Sequence, residues 1–197
     1  KSPEKAISPN VTSYAPGDGK IYLTINDTAE KISIPNKLSG GTYYFQGYNI
    51  YQIKTFSNNP SQADTVLLKT FDKTDGIKDI KDSIYLDEYQ GIFYGVVQKG
   101  SDNGISRYIV IDKDSINNTG INNGSEYKFA VTSYYYDSLG GIFSYPKVNE
   151  SPVSNIVKIV PQNIVPGIEV SYSTGDTLKT DQKDLAVMPI VIYPLNL

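Results

Sequence analysis

Apolar and polar residues alternate with a period of two along most of this chain, and no stretch carries a clear helical stripe. Alternation of this kind sends one side chain into a core and the next into solvent, which is the pattern of a half-buried strand. Ile21, Leu23 and Ile25 alternate with Tyr22, Thr24 and Asn26. Ala15-Pro16-Gly17-Asp18-Gly19 just before them is turn chemistry, combining proline's fixed φ with glycine's access to positive φ. Tyr48 and Ile50 alternate with Asn49 and Tyr51 in a second strand behind Gly47. Residues 66–71 and 108–111 read as shorter strands, and 127–136 and 154–160 as two of the clearest. The 17 Tyr and 6 Phe fall mostly inside these runs, where aromatic side chains favour extended backbone. The expected fold class is all-β, a sandwich of about seven or more strands. Residues 73–89 break the pattern: Ile77, Ile80 and Ile84 stand three and four apart, which allows a helix or a loop with one helical turn.

Composition narrows the chemistry. The 197 residues suffice for one domain with its own core, or for a domain plus an appended segment. Eighteen basic against 21 acidic residues give a net charge of −3, the wrong balance for a nucleic-acid groove or an anionic membrane surface. No apolar run approaches the roughly 18 to 20 residues of a membrane-spanning helix. Cys, His and Trp are absent. A thiol nucleophile, a disulfide frame, a Cys-ligated zinc and the commonest general base are therefore all excluded. The chain starts at Lys1 and carries no leader pattern, as expected of a processed product or a piece of something longer. Asn-x-Ser/Thr sequons stand at Asn10, Asn26, Asn117, Asn123 and Asn149, and they matter only in a source that glycosylates.

Ile121-Asn-Asn-Gly-Ser-Glu-Tyr127, followed by Phe129, Val131 and Ser133, resembles the loop and sixth strand of a fibronectin type III domain. In that family the tyrosine ring packs in the core and its hydroxyl bonds back to the loop, so the resemblance implies that Ile121 and Tyr127 form a structural corner. The first hairpin (residues 9–26), the third strand (47–51) and the last (150–160) resemble the family in order, over about residues 7–162. Two features depart from it. Ile25 stands where the family usually carries Trp, and residues 71–107 form a long insertion between the middle strands. Residues 97–108, leading to Asn123-Gly124 and 127–134, are similar to modules of large secreted bacterial cell-surface proteins. That likeness implies an extracellular, non-enzymatic setting.

Candidate sites follow from residue chemistry. Acid–base catalysis needs two carboxylates with separated pKa values, and the nearest pairs in sequence are Asp87 with Glu88 and Asp112 with Asp114. Both lie beside turns, where carboxylates commonly cap backbone. Calcium wants six to eight oxygens, which an Asp/Asn-rich loop supplies cheaply. Asp72, Asp75, Asp79 and Asp82 form one such group, interleaved with lysines; Asp112, Asp114 and Asn117 form a second, with Asp112 and Asp114 the candidate metal ligands. A glycan-binding edge needs exposed aromatics, for which Tyr134, Tyr136, Phe143 and Tyr145 are the candidates. After residue 162 a linker leads to the apolar run 185–197. Its Val187, Ile190, Ile192 and Tyr193 are candidates for an assembly strand, and Pro189 and Pro194 favour an edge position.

The expectation is a fibronectin type III-like β-sandwich over residues 1–162, with an insertion at 71–107 and a linker plus C-terminal strands at 163–197. Its function would be that of a non-enzymatic structural or adhesion module at the cell surface, a filament subunit among the options, joined to neighbouring domains or copies by strand addition. The competing reading is a carbohydrate- or calcium-binding accessory module of a secreted protein.

Overall fold

The computed structural model describes residues 4–54, 64–141 and 145–162. Strand β1 (Val11–Tyr14) and strand β2 (Ile21–Ile25) pair antiparallel across the proline–glycine turn, with Tyr14 opposite Tyr22. Strand β8 (Tyr108–Ile111) joins the other edge of β2, setting Ile21 opposite Ile111. The alternation sends Ile21, Leu23, Ile25, Ile109 and Ile111 to the buried face of this three-stranded sheet.

A second sheet is built around the long antiparallel pair β4 (Thr42–Ile53) and β11 (Tyr127–Tyr136). Strands β3 (Ser33–Pro35) and β5 (Thr65–Asp72) share the outer edge of β4. Strands β12 (Val148–Glu150) and β13 (Val157–Ile159) pair with the two ends of β11. The last of these is shorter than the run 154–160 suggests, because Asn155 adopts a positive φ of 54°. Its side-chain amide donates to the Ser8 and Pro9 carbonyls instead. Strands β9 (Lys113–Asp114) and β10 (Thr119–Gly120) form a small separate hairpin.

The two sheets meet through one hydrophobic core. Tyr43, Phe45, Tyr48, Ile50, Phe129, Val131 and Tyr135 from the second sheet pack against the isoleucines and leucine of the first. Phe45 lies 4.9 Å from Tyr48 and 5.8 Å from Tyr135 between ring centroids, the latter pair edge-to-face. A buried tyrosine hydroxyl needs a partner. Tyr135 donates to the Ala29 carbonyl at 2.7 Å, Tyr48 to Glu30 Oε1 at 3.0 Å, and Tyr43 to the Pro146 carbonyl. Burial, aided by Asp137 and Asp82, pushes the Tyr43 hydroxyl up to about 12.

Residues 73–89 are not helical. Strand β6 (Asp79–Leu86) runs through the segment and pairs with strand β7 (Gly91–Lys99), the two joined through a short 3-10 turn at Asp87–Tyr89. Burial of Ile80 and Asp82 around exposed Lys81 follows the period of two, and the long-range partner β7 outweighs the three-and-four spacing of the isoleucines. The described part of the chain is therefore all-β, with a sandwich and an inserted hairpin. The C-terminal run with Val187, Ile190, Ile192 and Tyr193 lies outside the described residues.

Candidate binding surfaces

The loop before β11 is anchored by burial at both ends. Ile121 and Tyr127 are both buried in the core, and the Tyr127 hydroxyl accepts a hydrogen bond from the Asn122 amide at 2.9 Å.

The structure removes Tyr134 from the aromatic edge expected at the end of β11. Tyr134 is completely buried, and the reason lies in a different part of the chain. Its side of β11, opposite the sandwich core, also carries buried Ala130 and Thr132, and the base of the β6–β7 hairpin docks on this face of the sheet. Tyr134 packs on the backbone of Gly47, where a Cβ would overlap its ring and the Phe71 carbonyl. Tyr145 packs against the core, Tyr136 is half-buried, and Phe143 lies outside the described residues.

Asp112 and Asp114 stand in different surroundings. Asp112 is exposed and Asp114 buried, so the two carboxylates do not converge on one open position. Asp114 Oδ1 accepts hydrogen bonds from Gln52 Nε2 at 2.8 Å and from the Ile116 and Asn117 amides, while Oδ2 accepts from Asn117 Nδ2 at 2.8 Å. Burial works against its charge, but these donors outweigh it and hold the carboxyl below its ordinary value. The group caps a turn. The other Asp-rich segment is spent in the same way: Asp72 Oδ1 accepts from the Ser101 amide and hydroxyl and from the Asp102 amide, and Asp102 Oδ1 accepts from the Asp75 and Gly76 amides. Among the described residues no group of three or more acidic side chains is placed to hold a metal ion.

These bonds belong to a polar seam that mounts the hairpin on the sheet. Asn49 of β4 and Gln98 of β7 exchange two amide hydrogen bonds, at 3.0 and 3.1 Å, and both side chains are buried. Thr70 donates to Asn49 Oδ1 at 2.8 Å. Glu150 Oε1 accepts from Asn49 Nδ2, the Tyr51 hydroxyl and Thr132 Oγ1, linking β4, β11 and β12. Asp82 of β6 accepts the Lys147 amide at 2.8 Å. Gly100 closes the base: a Cβ there would overlap the Asp72 carboxylate and the Lys78 carbonyl. Asp72 Oδ2 and the Tyr134 hydroxyl are buried in the same region without a hydrogen bond of ordinary geometry among the described residues. Burial first, then the nearby Asp72 charge, holds the Tyr134 hydroxyl well above its ordinary value.

Beyond its base the hairpin is apolar and open. Register places Tyr85 opposite Ile92, Ser83 opposite Tyr94 and Lys81 opposite Val96, so Tyr85, Ile92, Tyr94 and Val96 share one face. These four side chains are 40 to 69% exposed. Phe93 points to the other face, where its ring stands 5.4 Å from exposed Tyr89. Residues 91–98 carry no charge. Among the described residues β6 and β7 pair only with each other, which leaves two unpaired edges.

A second exposed surface lies on the outer face of β1–β2–β8. There the register aligns Tyr14, Tyr22 and Val110 in one row and Thr12, Thr24 and Tyr108 in the next. Tyr14 to Tyr22 and Tyr22 to Tyr108 are each 6.1 Å between ring centroids, with interplanar angles of 32° and 23°. Tyr22 donates to Asp18 Oδ2 at 2.8 Å, and that bond is the first cause of its raised pKa. Sequence reasoning passed over these tyrosines, although their signal was present: Tyr22 and Tyr108 occupy the outward phase of two alternating strands.

Fold and surfaces together define an antiparallel β-sandwich that carries a mounted hairpin and exposed aromatic faces. No family model, curated protein or solved structure matches the chain. Among the described residues no helix is long and apolar enough to cross a membrane.

Proposed function

We propose that this chain is a structural and adhesion module of the cell exterior, acting by contact and not by covalent chemistry, and that it joins a second copy of itself through the β6–β7 hairpin. The observation that carries this reading is the hairpin, which is held at its base by a buried polar seam and beyond it exposes Tyr85, Ile92, Tyr94 and Val96 on one face and Phe93 on the other. A two-stranded ribbon is marginal by itself, and natural edge strands are usually protected by charge, proline or cover. The stretch 91–98 has none of the first two. A strand added to either edge would gain main-chain hydrogen bonds and bury side chains on both sides at once. The same physics extends to the apolar run 185–197, the other candidate for strand addition.

The finer fold proposed is fibronectin type III-like. It is supported by the pairing order β1–β2–β8 facing β12/β13–β11–β4–β5, and by the Tyr127 hydroxyl bonded to the loop before its strand. The extracellular setting rests on the resemblance to secreted surface modules. Sedimentation velocity of the full chain tests the assembly. Wild type should associate with rising concentration, and Ile92→Lys with Tyr94→Lys should leave a monomer of unchanged melting temperature. A wild type that stays monomeric throughout, or a double variant that still associates, refutes the hairpin as the joining element.

A further inference from the structure

We propose that the outer face of β1–β2–β8 is a binding platform for a neutral polysaccharide, with Tyr14, Tyr22 and Tyr108 as its stacking rings. The face is chemically uniform. Its strand positions are Thr12, Tyr14, Tyr22, Thr24, Tyr108 and Val110, with no charged side chain among them. Tyr14 is 52% and Tyr108 45% exposed, and the shallow interplanar angles make the three rings a nearly continuous track across three strands. The rim of the track is polar. Asp18 flanks the central ring, bonded to the Tyr22 hydroxyl. Beside Tyr108 is a shallow depression lined by Thr24, Ile105, Ser106 and Arg107. Arg107 uses Nε and Nη2 to hold Glu30, both at 2.7 Å, which fixes the guanidinium at the rim.

A pyranose ring offers weakly positive C–H groups on its flat faces and hydroxyls around its edge. The π face of tyrosine carries the complementary negative quadrupole, and its hydroxyl reaches outward for a polar partner. A row of phenols, exposed at Tyr14 and Tyr108 and half-exposed at Tyr22, flanked by Thr, Ser, Asp and Arg therefore meets such a polymer on both counts. The lack of charge along the strands favours a neutral chain over an acidic one. The contrast with the hairpin is internal to this molecule: there the exposed side chains include aliphatic Ile92 and Val96, which suit a protein surface, whereas here Val110 stands alone among hydroxyl-bearing residues. Cross-strand tyrosine pairs also stabilise sheets. A purely structural role would show itself in melting and leave ligand binding unmoved.

The test is affinity electrophoresis of the full chain in gels containing soluble hydroxyethyl cellulose, glucomannan, xylan or glycogen, with polygalacturonate as the acidic comparison. Wild type should be retarded by at least one neutral polymer. Tyr14→Ala, Tyr22→Ala and Tyr108→Ala should each weaken that retardation about tenfold, and the corresponding Phe variants should keep most of it. Tyr44→Ala, at an exposed ring of β4 outside both this face and the hairpin, should leave it unchanged. Far-UV circular dichroism and melting of each variant confirm that the fold is intact. The proposal is overturned by absence of retardation in all four neutral polymers, by retardation in polygalacturonate alone, or by retardation that survives the triple Tyr→Ala change. Loss of self-association in the triple variant, without any polysaccharide retardation of the wild type, would give the face to a second copy and likewise overturn it.

Discussion

Replacing Gln98 by Ala should loosen the hairpin while leaving the sandwich folded. Gln98 exchanges two hydrogen bonds with Asn49, at 3.0 and 3.1 Å, and donates a third to the Lys99 carbonyl at 2.9 Å. Asn49 keeps Thr70 and Glu150 after the change, so neither of its amide atoms is left without a partner. The loss is therefore close to the net worth of the broken bonds, about 1 kcal/mol each, or about 2 to 3 kcal/mol for docking of the hairpin base. The sandwich core contains none of these atoms. Hydrogen exchange read by mass spectrometry resolves the two regions, because local opening free energies differ along a chain. Peptides from 79–99 should lose roughly 30- to 140-fold in protection, from the conversion of about 1.4 kcal/mol per factor of ten. Peptides from 127–136 should be unchanged. If hairpin protection does not move, the seam is not what holds it; if the whole chain loses protection equally, hairpin and sandwich unfold as one unit. Either result refutes the picture of a mounted, separable element.

Gly100→Ala should also destabilise the same base, since its Cβ overlaps the Asp72 carboxylate and the Lys78 carbonyl; overpacking of this kind costs about 1 to 3 kcal/mol, and an unaltered denaturation midpoint would contradict it. Tyr134→Phe should change stability by less than about 1 kcal/mol in the same assay, because the hydroxyl it removes faces the Asp72 carboxylate without a hydrogen bond of ordinary geometry. A clear loss of stability would mean that the hydroxyl is bonded. Glu30 predicts a pH dependence: the hydrogen bonds from Arg107, opposed by burial and helped by Tyr48, hold its pKa below the ordinary value of about 4.3. Its contribution is complete above the unfolded-state value and fades as pH falls through the lower folded-state value. The stability gap between wild type and Arg107→Gln, followed by melting from neutral pH downward, should therefore hold constant to about pH 5 and then shrink. A gap independent of pH would assign the effect of Arg107 to packing.

The all-β class and most strands were legible in the residues because a strand's alternation is local information. Ile21, Leu23 and Ile25 announce a buried face whatever they later meet, and 127–136 was delimited to the residue as β11. The burial of Tyr134 was illegible for the opposite reason. The face of β4 and β11 that carries it is shared with Asn49, which Gln98 reaches from 49 residues away. Nothing in the local sequence of Tyr134 records that cover. The segment 79–86 was obscured similarly, since its isoleucine spacing fits a helix until β7 supplies an edge to pair with. Asp114 looked like a ligand because its donors, Gln52 among them, are invisible from the neighbourhood of residue 114.

The sequence by itself determined the chemistry open to this protein. A chain without Cys or His, rich in Tyr and alternating in period two, is committed to sheets that carry phenol rings on their faces. Tertiary structure decided which of those rings remain available. Pairing of β1, β2 and β8 sets Tyr14, Tyr22 and Tyr108 side by side on an open face, while Tyr134 is buried on the Gly47 backbone beside Asp72. The physical reason is that alternation specifies two faces for every strand, and only long-range packing chooses which of them water still reaches.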